Sequence, residues 1–98
     1  MTGERGRLLA VDYGERRIGL AVSDPTGTIA SPAGHILRRR GKRAPIAEIV
    51  RRAEELGARG FVVGLPLDES GEDTPRAAEV RRIAAELERR TGLPVELL

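Results

Sequence analysis

Leu8-Leu-Ala-Val-Asp12-Tyr-Gly14-Glu-Arg-Arg17-Ile-Gly19-Leu-Ala-Val-Ser23-Asp24 decides the fold, because it sets one carboxylate at the end of an apolar run and turns back at once into a second run. Leu8 to Val11 is continuously apolar, which suits a strand near the middle of a sheet, covered on both faces. An acid at the end of such a strand loses hydration, so Asp12 calls for a partner: an arginine, backbone N–H groups or a metal ion. Gly14 allows the sharp turn, and Gly19 permits close approach or a bulge early in the return strand Ile18 to Ser23. The segment reads as a β-hairpin with a carboxylate at its mouth.

Working outward, Asp24-Pro-Thr-Gly27 has Pro and Gly at the second and fourth positions of a type I turn, so a third antiparallel strand is expected from about Thr28. Ser31-Pro32 and Gly34 interrupt that strand, which places it at an edge or at a bulge. Arg38-Arg39-Arg40-Gly-Lys42-Arg43 then gathers five cations into six residues. This is a solvated loop or a phosphate-contacting patch.

Pro45 suits the first turn of a helix in which Ile46, Ile49, Val50, Ala53 and Leu56 recur at helical spacing, and Gly57 is placed to cap it. Gly60 to Gly64 follows as a second apolar strand, parallel to the first because a helix intervenes. Leu65 to Asp73 is a loop carrying Asp68, Glu69, Glu72 and Asp73, acids that capping and solvation explain, with a metal cluster at the same sheet edge as the alternative reading. Thr74 and Pro75 open a second helix, with Ala77, Val80, Ile83, Ala84 and Leu87 on its inner side. Gly92 ends it, and Val95 to Leu98 begins a third parallel strand. The order βββ-α-β-α-β describes an α/β domain. Sites in such sheets lie at the carboxyl ends of the parallel strands, where Asp12 and the Gly64-Leu-Pro66 loop both emerge.

Composition narrows the function classes. The 98 residues form one domain without cysteine, so disulfides and thiolate metal sites are excluded, and no signal peptide or membrane-spanning run is visible; a cytoplasmic protein is expected. One Phe, one Tyr and no Trp exclude an aromatic stacking platform for single strands. Net charge is +2, but residues 1–43 hold nine Arg/Lys against four Asp/Glu, and residues 44–98 eight against eleven. An anionic partner would meet the first half. His35, the sole histidine, lies far from Asp12 along the chain and reads as an ordinary strand residue.

The pattern Asp12-x-Gly14-x-x-Arg17-x-Gly19-x-Ala21-x-Ser23-Asp24, followed by Val63-Gly64-Leu-Pro66-Leu67 and a helix, resembles the YqgF/RuvX family, nucleases assigned to 5′-end processing of pre-16S rRNA and similar to RuvC-type Holliday junction resolvases. The resemblance covers nearly the whole chain. It implies an RNase H-like fold with a mixed five-stranded sheet and helices on its faces, in a single domain spanning 1–98 that lacks its C-terminal part. It also implies phosphodiester hydrolysis with Mg²⁺ or Mn²⁺ held by carboxylates, of which Asp12 is the one that carries over as catalytic residue and metal ligand. The family's other acids fall beyond Leu98, so these 98 residues alone are expected to have little or no nuclease activity. Arg17, Arg38, Arg39, Arg40, Lys42 and Arg43 are the candidate nucleic-acid contacts; Gly14, Gly19, Gly64 and Pro66 are the geometric members of the motif. Structured RNA is the favoured partner, with a DNA junction as variant. Two readings of other classes are an actin-like ATPase fragment, which also opens with D-x-G, and a non-catalytic nucleic-acid-binding module built on the basic loop.

Overall fold

The computed structural model describes residues 6–27, 30–39, 41, 43–66, 70–72 and 74–98. Its elements are β1 (Leu8–Tyr13), β2 (Arg17–Ser23), β3 (Ala30–Leu37), α1 (Ile46–Leu56), β4 (Gly60–Val63), α2 (Pro75–Thr91) and β5 (Val95–Leu97). They build one sheet of order β3-β2-β1-β4-β5. β1 pairs antiparallel with β2 and β2 with β3, while β1–β4 and β4–β5 are parallel. The expected mixed five-stranded α/β sheet is therefore present, with β1 at its centre.

The punctuation residues act largely as their chemistry predicts. The Gly27 N–H donates to the Asp24 carbonyl at 2.9 Å, closing the β2–β3 turn. Pro32 is tolerated because β3 is an edge strand, and the register slips between Gly19 and Ala21 where the strands meet. Thr74 caps α2: its hydroxyl oxygen accepts the Ala77 N–H at 3.0 Å, with Pro75 at the first helical position. Gly57 and Gly92 end the two helices with φ of 69° and 71°, in the left-handed region that glycine enters without a side-chain clash. Pro45 departs from expectation. It stands just before α1 as the capping residue, with φ −81° and ψ 64°, and makes no side-chain cap.

A second departure concerns the covering of the sheet. Leu9, Val11, Tyr13, Ile18, Leu20, Ile36, Phe61 and Val63 are buried in one cluster with Ile46, Ile49 and Ala53 of α1 and Val80, Ile83 and Leu87 of α2. Both helices thus lie on one face. The alternate residues Leu8, Ala10, Ala21 and Val62 on the other face are only half-buried, so β1 is not covered on both sides as its apolar run suggested. The reason is the handedness of the crossovers. β3-α1-β4 and β4-α2-β5 both step across the sheet in the same direction, and right-handed connections then deliver both helices to the same side. No helix of the described residues is long and apolar enough to cross a membrane.

Candidate functional site

Asp12 is the last outward-facing residue of β1, on the face without helices, and it is exposed. Its carboxylate is open to solvent, and no hydrogen bond or ion pair holds it among the described residues. It lines a hollow of about 320 Å³ together with Tyr13, Gly14, Gly64, Leu65, Pro66, Arg76 and Leu98. Backbone bonds hold that rim in place. The Gly64 N–H donates to the Val11 carbonyl at 3.1 Å, and the Leu65 N–H to the Leu98 carbonyl at 2.7 Å. The Thr74 hydroxyl donates to the Pro66 carbonyl at 2.9 Å, tying the start of α2 to the same loop. Asp12 and the Gly64–Pro66 loop therefore share one edge of the sheet, as the topology required.

The motif glycines have separate tasks. A Cβ at Gly14 would sit 2.8 Å from the Arg17 carbonyl oxygen, the atom that accepts the Gly14 N–H at 3.1 Å across the turn. A Cβ at Gly19, paired opposite Asp12, would meet the Asp12 Cβ at 3.7 Å, an ordinary contact, while one at Gly64 would meet nothing within 4 Å. Gly14→Ala is accordingly expected to cost about 1–3 kcal/mol, because backbone must move, and Gly64→Ala to stay within about 0.5 kcal/mol. Thermal unfolding followed by circular dichroism checks both, and equal midpoints for the two variants would refute the contrast.

Arg38 of the basic run reaches the same edge. β3 runs parallel to β1, so its carboxyl end delivers Arg38 beside the hairpin turn, where its N–H donates to the Arg16 carbonyl at 2.9 Å. Arg38 then folds inward. Its guanidinium carbon lies 4.1 Å from the centre of the Tyr13 ring, Nη1 donates to the Gly14 carbonyl at 2.7 Å, and Nη2 meets Glu79 Oε2 at 3.2 Å. The Tyr13 hydroxyl donates to the same Glu79 oxygen at 3.1 Å. This cluster clamps the hairpin to β3 and α2, so the Arg38 donors serve the scaffold. Arg17, Arg39 and Arg43 are exposed; Arg40 and Lys42 lie outside the described residues.

Burial foremost, and then the hydrogen bond to Glu79, push the Tyr13 hydroxyl above its ordinary pKa of 10.0, with the Arg38 charge opposing. A phenol whose pKa is raised on folding contributes stability that is fully present below pH 10 and is lost as pH climbs through the folded value. Stability is expected to fall above about pH 10, and less steeply in Tyr13→Phe. Ultraviolet titration reads this group alone, since the chain has one tyrosine. A phenolate forming at or below the ordinary value would refute the clamp.

The remaining polar residues sort between the predicted β2–β3 turn and the Asp12 row. Ser23 accepts the Leu8 N–H at 2.8 Å and donates to the Asp24 carbonyl at 3.1 Å, and Asp24 accepts from the Thr26 N–H at 2.9 Å, so both serve the turn at the opposite end of the sheet. His35 pairs with Gly19, which pairs with Asp12. The sole histidine thus lies in the same row as the acid, two strands away. Arg76 was missed altogether. The available signal was its position in the first turn of the helix that follows the Gly64-Leu-Pro66 loop.

Asp68, Glu69 and Asp73 lie outside the described residues, and Glu72 is exposed in the loop before α2. No group of three His, Cys, Asp or Glu among the described residues could hold a metal ion. One carboxylate is an incomplete ligand set for Mg²⁺ or Mn²⁺, which take about six oxygen ligands.

Comparison with known proteins agrees with this geometry. The family model described as "RuvX: Holliday junction resolvase" matches residues 6–98. A protein of Koribacter versatilis named "Putative pre-16S rRNA nuclease" is 46% identical over 92 residues, covering 94% of this chain and 60% of the relative. A protein of the same name from Maridesulfovibrio salexigens is 39% identical over 92 residues, covering 94% and 67%. The chain thus spans about 60% of the length of the curated relatives it matches. Among solved structures, Thermus thermophilus RuvC superposes with a TM-score of 0.61 at 12% identity, covering 94% of this chain and 63% of RuvC. RuvC of the same organism in complex with a Holliday junction substrate gives 0.62 at 11% identity, covering 96% and 64%. The fold is RNase H-like, and with its family model matched over almost every residue, the chain belongs to the RuvX family.

Proposed function

We propose that this chain carries the substrate-facing edge of a nuclease that hydrolyses phosphodiester bonds in the cytoplasm, acting on structured RNA at the 5′ end of pre-16S rRNA. The observation that carries this reading is the exposed carboxylate of Asp12 in a hollow beside the Gly64–Pro66 loop, at the end of the sheet where Arg17 and Arg39 stand exposed. The names of the relatives support it. A surface that offers one acid among several cations is suited to a polyanion whose backbone the arginines hold while the acid serves the reacting centre. Arg40 and Lys42 belong to the same basic loop. Mg²⁺ or Mn²⁺, when bound, would activate water and stabilise the leaving oxygen. Asp12 is one ligand for such an ion; the remaining acids are assigned to the part of the relatives' length that this chain does not span, as the C-terminal part of one RNase H-like domain.

The RuvC complex with a Holliday junction makes a DNA junction the second substrate to test. The longest form of the protein is to be incubated with Mg²⁺ or Mn²⁺ and either a precursor-rRNA 5′ fragment or a four-way DNA junction, with Asp12→Asn alongside. Cleavage of the RNA that depends on Asp12 supports the reading. Equal cleavage by both forms removes Asp12 from the mechanism, and cleavage confined to the junction moves the substrate to DNA.

A further inference from the structure

Arg76 stands in the wall of the Asp12 hollow, in the first turn of α2 and beside the β1–β2 turn. Its Nη2 is 2.8 Å from Oε1 of Glu15, a residue of the β1–β2 turn. That is one contact to a carboxylate whose side chain is 79% exposed, while Arg76 is 33% exposed. Such an exposed, singly bonded pair is weak. A guanidinium has five donors in a rigid fork that matches two phosphate oxygens, so a phosphodiester displaces a singly bonded, hydrated carboxylate without loss. Thr74 fixes where this arginine starts, because its hydroxyl bonds at once to the Pro66 carbonyl and the Ala77 N–H.

We propose that Arg76 contacts a backbone phosphate of the nucleic acid at the Asp12 hollow, and that Glu15 occupies Arg76 in the free protein and is displaced when the strand binds. This rests on the reading of the edge as nucleic-acid-facing and deepens it: the phosphate-holding cations extend beyond the basic loop to the first turn of α2, in the wall of the hollow. The strand then meets Arg76 in the hollow itself, in addition to the exposed Arg17 and Arg39.

The sign of the Glu15 effect distinguishes this from a structural ion pair. Affinity is measured in the longest form carrying Asp12→Asn, so that no cleavage intervenes, by fluorescence anisotropy of a labelled RNA hairpin at several salt concentrations. Arg76→Ala is expected to weaken binding about 5–10-fold and to flatten the dependence of log affinity on log salt by about 0.7–0.9, the loss of one phosphate contact. Arg76→Lys keeps the salt slope. Glu15→Gln is expected to tighten binding about 2–5-fold, and to have no effect once Arg76 is alanine. Weaker binding in Glu15→Gln, or an unchanged salt slope in Arg76→Ala, overturns the inference. If the cycle holds while the protein with Asp12 intact cleaves neither RNA nor junction, the phosphate contact stands and the nuclease reading falls. If cleavage depends on Asp12 but the cycle fails, Arg76 falls alone; absence of any binding removes both.

Discussion

Asp12→Asn is expected to lower the rate of phosphodiester cleavage by the longest form about 10²-fold or more, while leaving nucleic-acid affinity unchanged or raising it. The two halves of that expectation have one physical origin. A carboxylate at the mouth of a hollow that receives a polyphosphate is repelled by its own substrate, and the cation in that hollow, Arg76, is paired with Glu15 and not with Asp12. Holding an anion there works against binding and is worthwhile only if it acts on the reacting centre, as a base or as one ligand of a bound ion. Asparagine keeps the size and the strand geometry but removes the charge. Binding then loses a repulsive contribution, and the chemical step loses about 2.7 kcal/mol or more of stabilisation. The fold is indifferent: Asp12 is exposed, and its strand neighbours are held by backbone bonds to β2 and β4. Cleavage and anisotropy measured on the same preparation separate the alternatives. A non-catalytic binding module predicts no cleavage by either form, and a structural acid predicts a lower unfolding midpoint with both functions reduced together.

Much of this site could be read from the chain because its signals are local. Four apolar residues ending in Asp12, a turn closed at Gly14 and a second apolar run specify the hairpin, and Thr74-Pro75 specifies the start of α2 without reference to anything distant. Which side of the sheet the helices cover is not local. Val80 and Leu87 announce that α2 has an apolar face, but that face meets the Leu9 and Val11 side only because β4 inserts beside β1 rather than beside β3. Strand order is set by the sum of packing across the whole sheet. The same limit hid Arg38 and Arg76. One arginine of a run of three turns inward because Tyr13 offers a ring face and Glu79 a charge from two other elements, and the sequence shows Arg38, Arg39 and Arg40 as equals. Asp12 was misjudged in one respect for a related reason: its run predicted burial, and the missing cover on its face left it in water.

Phe61→Ala is expected to produce the largest loss of stability of any single truncation, about 3–5 kcal/mol. Phe61 is 1% exposed and is the largest of the fully buried side chains. It stands on β4 opposite Leu9 of β1 on one side and Val95 of β5 on the other, and it points into the one cluster that both helices share. With a single aromatic ring in that position and aliphatic side chains around it, the space left by truncation is bounded by stiff Val, Ile and Leu neighbours on two strands and two helices, which collapse poorly. A domain of this size has roughly 5–15 kcal/mol in all, and one whose sheet is covered on a single face has no second core to draw on. The midpoint of thermal unfolding should therefore drop by some 15–30 °C, since about 1 kcal/mol moves it 4–8 °C. Leu37→Ala, at a position 69% exposed on the edge strand, should change it by less than about 0.5 kcal/mol and serves as the control. Phe61→Leu should fall between the two, because most of the volume is restored. A loss below about 1 kcal/mol for Phe61→Ala would mean that the ring is not enclosed between the sheet and both helices. In that event the rim around Asp12 would lose its frame as well, since Val63 and Gly64 are positioned by the strand that Phe61 anchors.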